Sequence, residues 1–222
     1  MREFDDDEVR SAGPAVVWRG PEDAPVVLVL DPAGEAKHNE LPATWRPLAE
    51  HIRVGWCRLP AEAEDETVEE ILGDVRHRAH LVAAGSAAVP ALRLAREHTD
   101  QVSSVVAVDP ARPGAAPPGE PGSLADWWDS ETEPLRRELT DRDVRVVCAV
   151  SRDDDLAVRI EPPVPLGHPD VVARVVQTLL SFHGDGSTDA VEPDRRAEVA
   201  EAWRAVRDRF LPAVDRARHA AR

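Results

Sequence analysis

The chain has 222 residues, of which 42% are hydrophobic and 31% charged, and its formal net charge is −15 at pH 7. This length and composition are typical of one folded domain and exclude a disordered chain. The acidic excess argues against a nucleic acid or an anionic membrane surface as partner, because little basic surface is left to neutralise phosphates.

Cysteine usage and the N-terminal residues indicate a compartment. Cys57 and Cys148 each lie in an apolar run and are expected to be buried thiols rather than a disulfide. The residues after Met1 are acidic, and no apolar run approaches the length needed to span a membrane. The sequence therefore predicts a cytoplasmic protein.

Strand and helix patterns alternate in the first part of the chain. Residues 1–13 are expected to form an acidic arm, and the continuous apolar run 25–30 is typical of a central strand buried on both faces. Around that run, the patterns predict a strand over residues 14–18, a helix from 44 to 51, a strand over 52–60 and a helix over 67–75.

The same alternation continues to residue 183. Strands are predicted at 81–84, 102–108 and 144–150, and helices at 87–98, 123–128, 134–139 and 169–182. The Pro- and Gly-rich stretch 111–122 is expected to be a surface loop. The pattern predicts an α/β fold with a mostly parallel sheet over residues 14–183.

The C-terminal part is predicted to be an addition to that domain. Residues 184–222 are expected to contain a linker and then a helix that docks on the domain. Five apolar residues at helical spacing form the docking stripe: Val199, Trp203, Val206, Phe210 and Val214.

The motif around Ser86 is the strongest chemical signal. An apolar strand runs directly into small residues and then into an apolar helical face, which is the arrangement of a nucleophile elbow. At such an elbow the serine backbone is strained and its neighbours are small. Here the stretch reads Ala84-Gly85-Ser86-Ala87-Ala88, with alanine at both positions where the pattern G-x-S-x-G has glycine. The alternative is a close crossing of strand and helix at which Ser86 caps the helix.

From this elbow, the chain resembles the α/β-hydrolase fold family, and within it the small thioesterases that act beside acyl-carrier proteins. The resemblance covers residues 14–183 in element order. Residues 28–34, 45–50 and 54–60 resemble the third strand with its oxyanion loop, the first helix and the fourth strand of that family. It implies an α/β-hydrolase-like, mostly parallel sheet flanked by helices, with a minimal cap; the C-terminal helix is additional.

The resemblance also implies an acid that follows the nucleophile in the chain. After the predicted strand 144–150, the family's G-x-x-D turn reads Ser151-Arg152-Asp153-Asp154, so that Asp154 matches the acid. Asp153 and Asp155 are its alternates. A solvated acidic turn is the other interpretation of these aspartates.

The base is expected just before the last helix of the domain. His168 matches this position, in Leu166-Gly167-His168-Pro169-Asp170. It would accept the proton of Ser86 while Asp154 orients the imidazole. His183 is the poorer candidate, and a surface histidine is the alternative.

The backbone N–H groups of Ala87 and Ala33 would form the oxyanion hole on this resemblance. Pro32 has no N–H to donate. An inward-pointing Asp31 would oppose the negative charge that develops there.

Trp127 and Trp128 lie where hydrolases insert a cap, and they are candidates for lining an acyl pocket. The alternative is that they anchor their helix to the body of the domain. His77 and His80 lack a third ligand nearby, and glycine is too sparse for a phosphate-binding loop, so neither a metal nor a cofactor is expected.

Two functions remain open from the sequence. The leading hypothesis is a serine hydrolase that cleaves a small-molecule or carrier-bound acyl ester or thioester through an acyl-enzyme. The second is a catalytically impaired binding or scaffold module of the same fold, motivated by Ala84, Ala88 and the altered oxyanion loop. The sequence leaves the oligomeric state open.

Overall fold

The computed structural model describes residues 16–32, 39–58, 68–75, 77–110, 123–149, 165–182 and 193–220, with backbone only at 58, 123–127, 193–196 and 211–220. Its strands are β1 (Val16–Arg19), β2 (Val26–Asp31), β3 (Arg53–Arg58), β4 (Ala79–Ala84), β5 (Val102–Val108) and β6 (Arg145–Ala149). Its helices are α1 (Val68–Asp74), α2 (Ala88–Glu97), α3 (Ser123–Asp141), α4 (Pro169–Phe182) and α5 (Pro193–Ala220).

The six strands form one sheet in the order β1-β3-β2-β4-β5-β6. Only β1 is antiparallel to its neighbour, β3; the other four pairings are parallel. From β2 the chain moves to β3 on one side and then to β4 on the other side, so the direction of winding reverses between β2 and β4.

Helices cover both faces of the sheet. On one face, α4, α5 and the segment from Leu41 to Ile52 share a buried cluster with alternate residues of the strands. On the other face, α1, α2 and α3 share a second cluster. Every residue of β2, β4 and β5 is buried, as expected for central parallel strands covered on both sides. The predicted fold class is confirmed: a mostly parallel α/β sheet flanked by helices, with an additional C-terminal helix.

The predicted helix from Thr44 to His51 is wrong in type. The segment forms a series of turns that ends in a short 3-10 turn, Leu48–Glu50. Pro47 precedes that turn and has no N–H to donate to an α-helical ladder. The apolar residues of the segment are nonetheless buried as their spacing indicated, because Trp45, Leu48 and Ile52 are all 0% exposed.

The two short helices predicted at 123–128 and 134–139 are one helix, α3. Pro134 lies inside it and is exposed. A proline inside a helix removes one hydrogen bond, but here the buried residues Trp128 and Leu139 hold the two halves against the same core cluster. Tertiary packing therefore overrides the local signal for a break.

Candidate functional site

The crevice between the carboxyl ends of β2 and β4 is the candidate site. Ligands of open parallel sheets bind outside the carboxyl ends of the strands, at the point where the winding reverses. In register, Leu30 of β2 lies beside Ala83 of β4, so Asp31 and Ala84 end the two strands at the same level. The turn that contains Ser86 starts directly after Ala84.

The turn has its unusual backbone at Gly85, not at Ser86. Gly85 has φ +52°, a left-handed conformation that glycine adopts without a Cβ penalty. Among the described residues, the non-glycine positions with positive φ are Asn39, Asp109 and Asp143. The strained backbone expected at Ser86 therefore lies one residue earlier, at the glycine.

Ser86 is the exposed side chain of this turn. It lies in the 3-10 turn Gly85–Ala87, whose other two residues are buried. Ala87 is the N-cap of α2 and no side chain caps this helix, so Ser86 does not have the capping role considered as an alternative. Ala84 and Ala88 are 5% and 0% exposed, which explains why the crossing of β4 and α2 requires small side chains.

His168 caps α4. Its carbonyl oxygen accepts a hydrogen bond from the N–H of Val172 at 3.0 Å, and its ring Nδ1 accepts one from the N–H of Asp170 at 3.3 Å. Pro169 is the first helical residue, where a missing N–H costs nothing. The histidine side chain is 23% exposed, and its Nδ1 lies 3.7 Å from the Asp170 carboxylate.

This cap bears on the ring's chemistry. When Nδ1 accepts a hydrogen bond, the proton of a neutral imidazole resides on Nε2. In a Ser-His-Asp triad the arrangement is reversed, because Nδ1 carries the proton and Nε2 accepts the proton of the serine. Nδ1 of His168 is engaged within its own helix terminus, by the N–H and the carboxylate of Asp170.

A chain of contacts connects the loop of His168 to the end of β2. Thr44 Oγ1 donates to the carbonyl of Gly167 at 2.7 Å, and Trp45 Nε1 donates to the carbonyl of Leu166 at 2.9 Å. The rings of Trp45 and Trp56 pack edge to face with centroids 5.3 Å apart. The loop is thereby held on the α4 face of the sheet.

Asp31 ends this chain of contacts. Trp56 Nε1 donates to its Oδ2 at 2.8 Å, and Asp31 is 1% exposed. From the sequence, Asp31 was expected only to oppose the charge of an oxyanion, and its hydrogen bond with Trp56 was not predicted. These two residues are 25 positions apart, and only the pairing of β2 with β3 brings them together.

The predicted triad is not tested by the described residues, because its acid lies outside them. Ser86 and His168 are both described, and no hydrogen bond joins them there. The acid candidate Asp154, with its alternates Asp153 and Asp155, lies outside the described residues. So do the oxyanion donor Ala33 and the second histidine, His183, whereas the other donor, Ala87, is 3% exposed. The catalytic roles of these residues stay predictions.

Trp128 is part of the core cluster on the α2 side of the sheet and is 2% exposed. The Arg136 guanidinium lies over its ring, 5.8 Å from the centroid. This position agrees with the anchoring alternative, and a role in an acyl pocket stays a prediction. The side chain of Trp127 lies outside the described residues.

A groove of about 350 Å³ among the described residues lies elsewhere. It is lined by Arg19, Leu41, Arg46 and Glu50, among others. Arg19 pairs with Val54, near the amino end of β3. The groove therefore opens near the amino ends of the parallel strands, whereas Ser86 follows the carboxyl end of β4. Within the described ranges, no group of three or more His, Cys, Asp or Glu side chains could hold a metal ion. None of the helices in that part of the chain is both long and apolar enough to cross a membrane.

Comparisons with known proteins give similarity in structure only. No protein-family model matches the chain, and no curated protein matches it. A membrane phospholipase A, a bacterial virulence factor, is 20% identical with a TM-score of 0.36, over 90% of this chain and 59% of its own. This chain therefore spans less than two thirds of the phospholipase.

Two further structures resemble the chain to a similar degree. An ancestral haloalkane dehalogenase is 17% identical with a TM-score of 0.32, over 86% of this chain and 72% of its own. A thioesterase domain from the curacin biosynthetic pathway is 14% identical with a TM-score of 0.31, over 85% of this chain and 84% of its own. At these scores the fold assignment rests on the strand order, the pairing and the two helical layers of the chain itself.

Proposed function

We propose that the chain is a binding module of the α/β-hydrolase type that holds its ligand in the crevice between β2 and β4 without cleaving it through a Ser-His-Asp triad. The observation that carries this proposal is the left-handed backbone of Gly85. At a nucleophile elbow, the residue on the sharp strand-to-helix bend is the one whose side chain is presented to the ligand. Glycine at that bend presents no side chain.

Ser86 does not occupy the position of the missing side chain. It follows the bend by one residue on a 3-10 turn. The Ser86 side chain therefore leaves the chain after the bend and not at it.

The state of His168 supports the same proposal. A general base for serine needs a ring nitrogen that can accept the serine proton. The Nδ1 of His168 is engaged by the N–H of Asp170 in the first turn of α4, so a triad acid would have to displace that contact to orient the ring. Ser86 thus lies one residue after the bend, and the ring of His168 is engaged in capping α4.

The proposed ligand is an acyl ester or thioester, free or bound to a carrier, as the resemblance in the sequence implies. At the carboxyl ends of β2 and β4, the structure places the buried Asp31 on one strand and the exposed Ser86 after the other. Such a site fixes a ligand by a few polar contacts.

A serine hydrolase that uses Ser86 is the second candidate function. Ser86 is the only exposed residue between Ala79 and Ala88, so its hydroxyl is accessible to a reagent. The N–H group of Ala87 follows it at the start of α2, where partial positive charge favours an anion.

Labelling by a fluorophosphonate separates the two functions. If the chain is a binding module, the folded chain should not be labelled covalently. It should also bind a medium-chain acyl thioester saturably without hydrolysing it. Stoichiometric labelling that is lost in Ser86→Ala, but kept in the buried-serine control Ser104→Ala, would show that the hydrolase is correct. Absence of both binding and hydrolysis would refute the ligand class.

A further inference from the structure

A buried histidine lies at the opposite end of β4 from the candidate site. His80, the second residue of β4, is 4% exposed, and its Nδ1 lies 2.8 Å from the hydroxyl of Ser104 on the neighbouring β5. Its ring stacks on Phe182 at the end of α4, with centroids 6.4 Å apart and planes 21° apart. The ring of Trp203 on α5 packs against it at 5.6 Å and 85°.

The docking of α5 depends on a short segment around this contact. Among the α5 residues whose side chains are described, Trp203 and Val206 are buried, at 1% and 0% exposure. Val199 and Phe210 pack against the same cluster but are only partly buried. His80 therefore forms part of the surface on which the turn with the buried residues Trp203 and Val206 rests.

Two described arginines lie on elements that pack around this cluster. From β6, Arg145 donates to the carbonyl of Phe182 at 2.6 Å, and its guanidinium carbon lies 5.2 Å from the centroid of that ring. On α5, the half-buried Arg207 lies one turn after Trp203. On the flanking strands, the residues beside His80 are Val27 and Ser104, which carry no charge.

The geometry points to a pH-sensitive latch, in which neutral His80 holds α5 against the sheet and protonated His80 releases it. A proton on His80 would place a charge among apolar rings, where desolvation disfavours it. The docked state therefore favours the neutral ring. Docking is strongest at higher pH and weakens as the pH falls through the range in which histidine titrates.

Hydrogen exchange of the full chain tests this latch. Between about pH 7.5 and about pH 5.5, the protection of amides 199–206, corrected for the intrinsic pH dependence of exchange, should fall several-fold, up to the limit of about tenfold that the titration of one histidine allows over this range. His80→Asn retains a polar atom for Ser104, and His80→Phe retains the ring packing. Both variants should lose the pH response. His98→Asn is the matched control, because His98 also uses its Nδ1 in a hydrogen bond, to Gln101, but lies outside the cluster.

Three results would overturn the latch: no change of α5 protection in the unmodified chain, a response that persists in both His80 variants, or a response that is lost in His98→Asn. A nuclear magnetic resonance titration covers the case in which the His80 variants do not fold. The midpoint of the loss of α5 protection should then coincide with the titration of the His80 ring protons. A clear separation of the two midpoints refutes the proposal.

Discussion

The hydrogen bond between Trp56 and Asp31 is expected to hold the carboxyl end of β2 against β3, and substitutions at Trp56 test this. Trp56 is 0% exposed, donates to Asp31, and packs edge to face on Trp45. In Trp56→Phe the hydrogen bond is lost while an aromatic ring remains. A hydrogen bond to a carboxylate contributes about 1.5–3 kcal/mol, and the smaller ring leaves part of a buried site unfilled, which adds about 1 kcal/mol.

We therefore expect Trp56→Phe to lower the free energy of unfolding by about 3 kcal/mol. Urea denaturation followed by circular dichroism measures this loss. A double-mutant cycle with Asp31→Ala, which removes the acceptor, isolates the pair, and its coupling energy should be about 1.5 kcal/mol or more. A loss below about 1 kcal/mol together with negligible coupling would refute the inference that these two side chains hold the end of β2 to β3.

Three further predictions concern stability. Arg78→Ala should lower the free energy of unfolding, measured by urea denaturation, by about 2–4 kcal/mol, because the Arg78 guanidinium donates to the carbonyls of Thr99, Val102 and Asp143. A loss below about 0.5 kcal/mol would contradict this. His168→Ala should lower the melting temperature by about 2–4 °C through the lost cap, whereas His168→Asn should restore most of it; equal losses would rule out capping. Gly85→Ala should destabilise by about 1–2 kcal/mol because of its positive φ, whereas Gly73→Ala, whose added Cβ meets nothing within 4 Å, should stabilise by about 0.5–1 kcal/mol. The same sign for both glycine variants would refute the reasoning.

Local pattern determined most of the secondary structure. The β-branched run over Val102–Val108 and the apolar face of Pro169–Phe182 have the predicted bounds, because each pattern matches one period over its whole length. Trp203 and Val206 of the C-terminal stripe are buried as predicted. Cys57 is buried, whereas Cys148 is only half-buried, because β6 lies at the edge of the described sheet, where neighbours cover fewer side chains.

The details of the candidate site came from tertiary structure. The pairing of Ala84 with Val108 sets where β4 ends, so the bend falls on Gly85 and not on the serine that the motif favours. The hydrogen bond of His168 depends on where α4 begins, and that of Asp31 on the register of β2 against β3. The sequence by itself determined which segments are strands and helices, because those depend on periodicity along the chain. Which side chain occupies the bend, and which partner each polar group has, depend on contacts between distant segments, and only the folded sheet decided them.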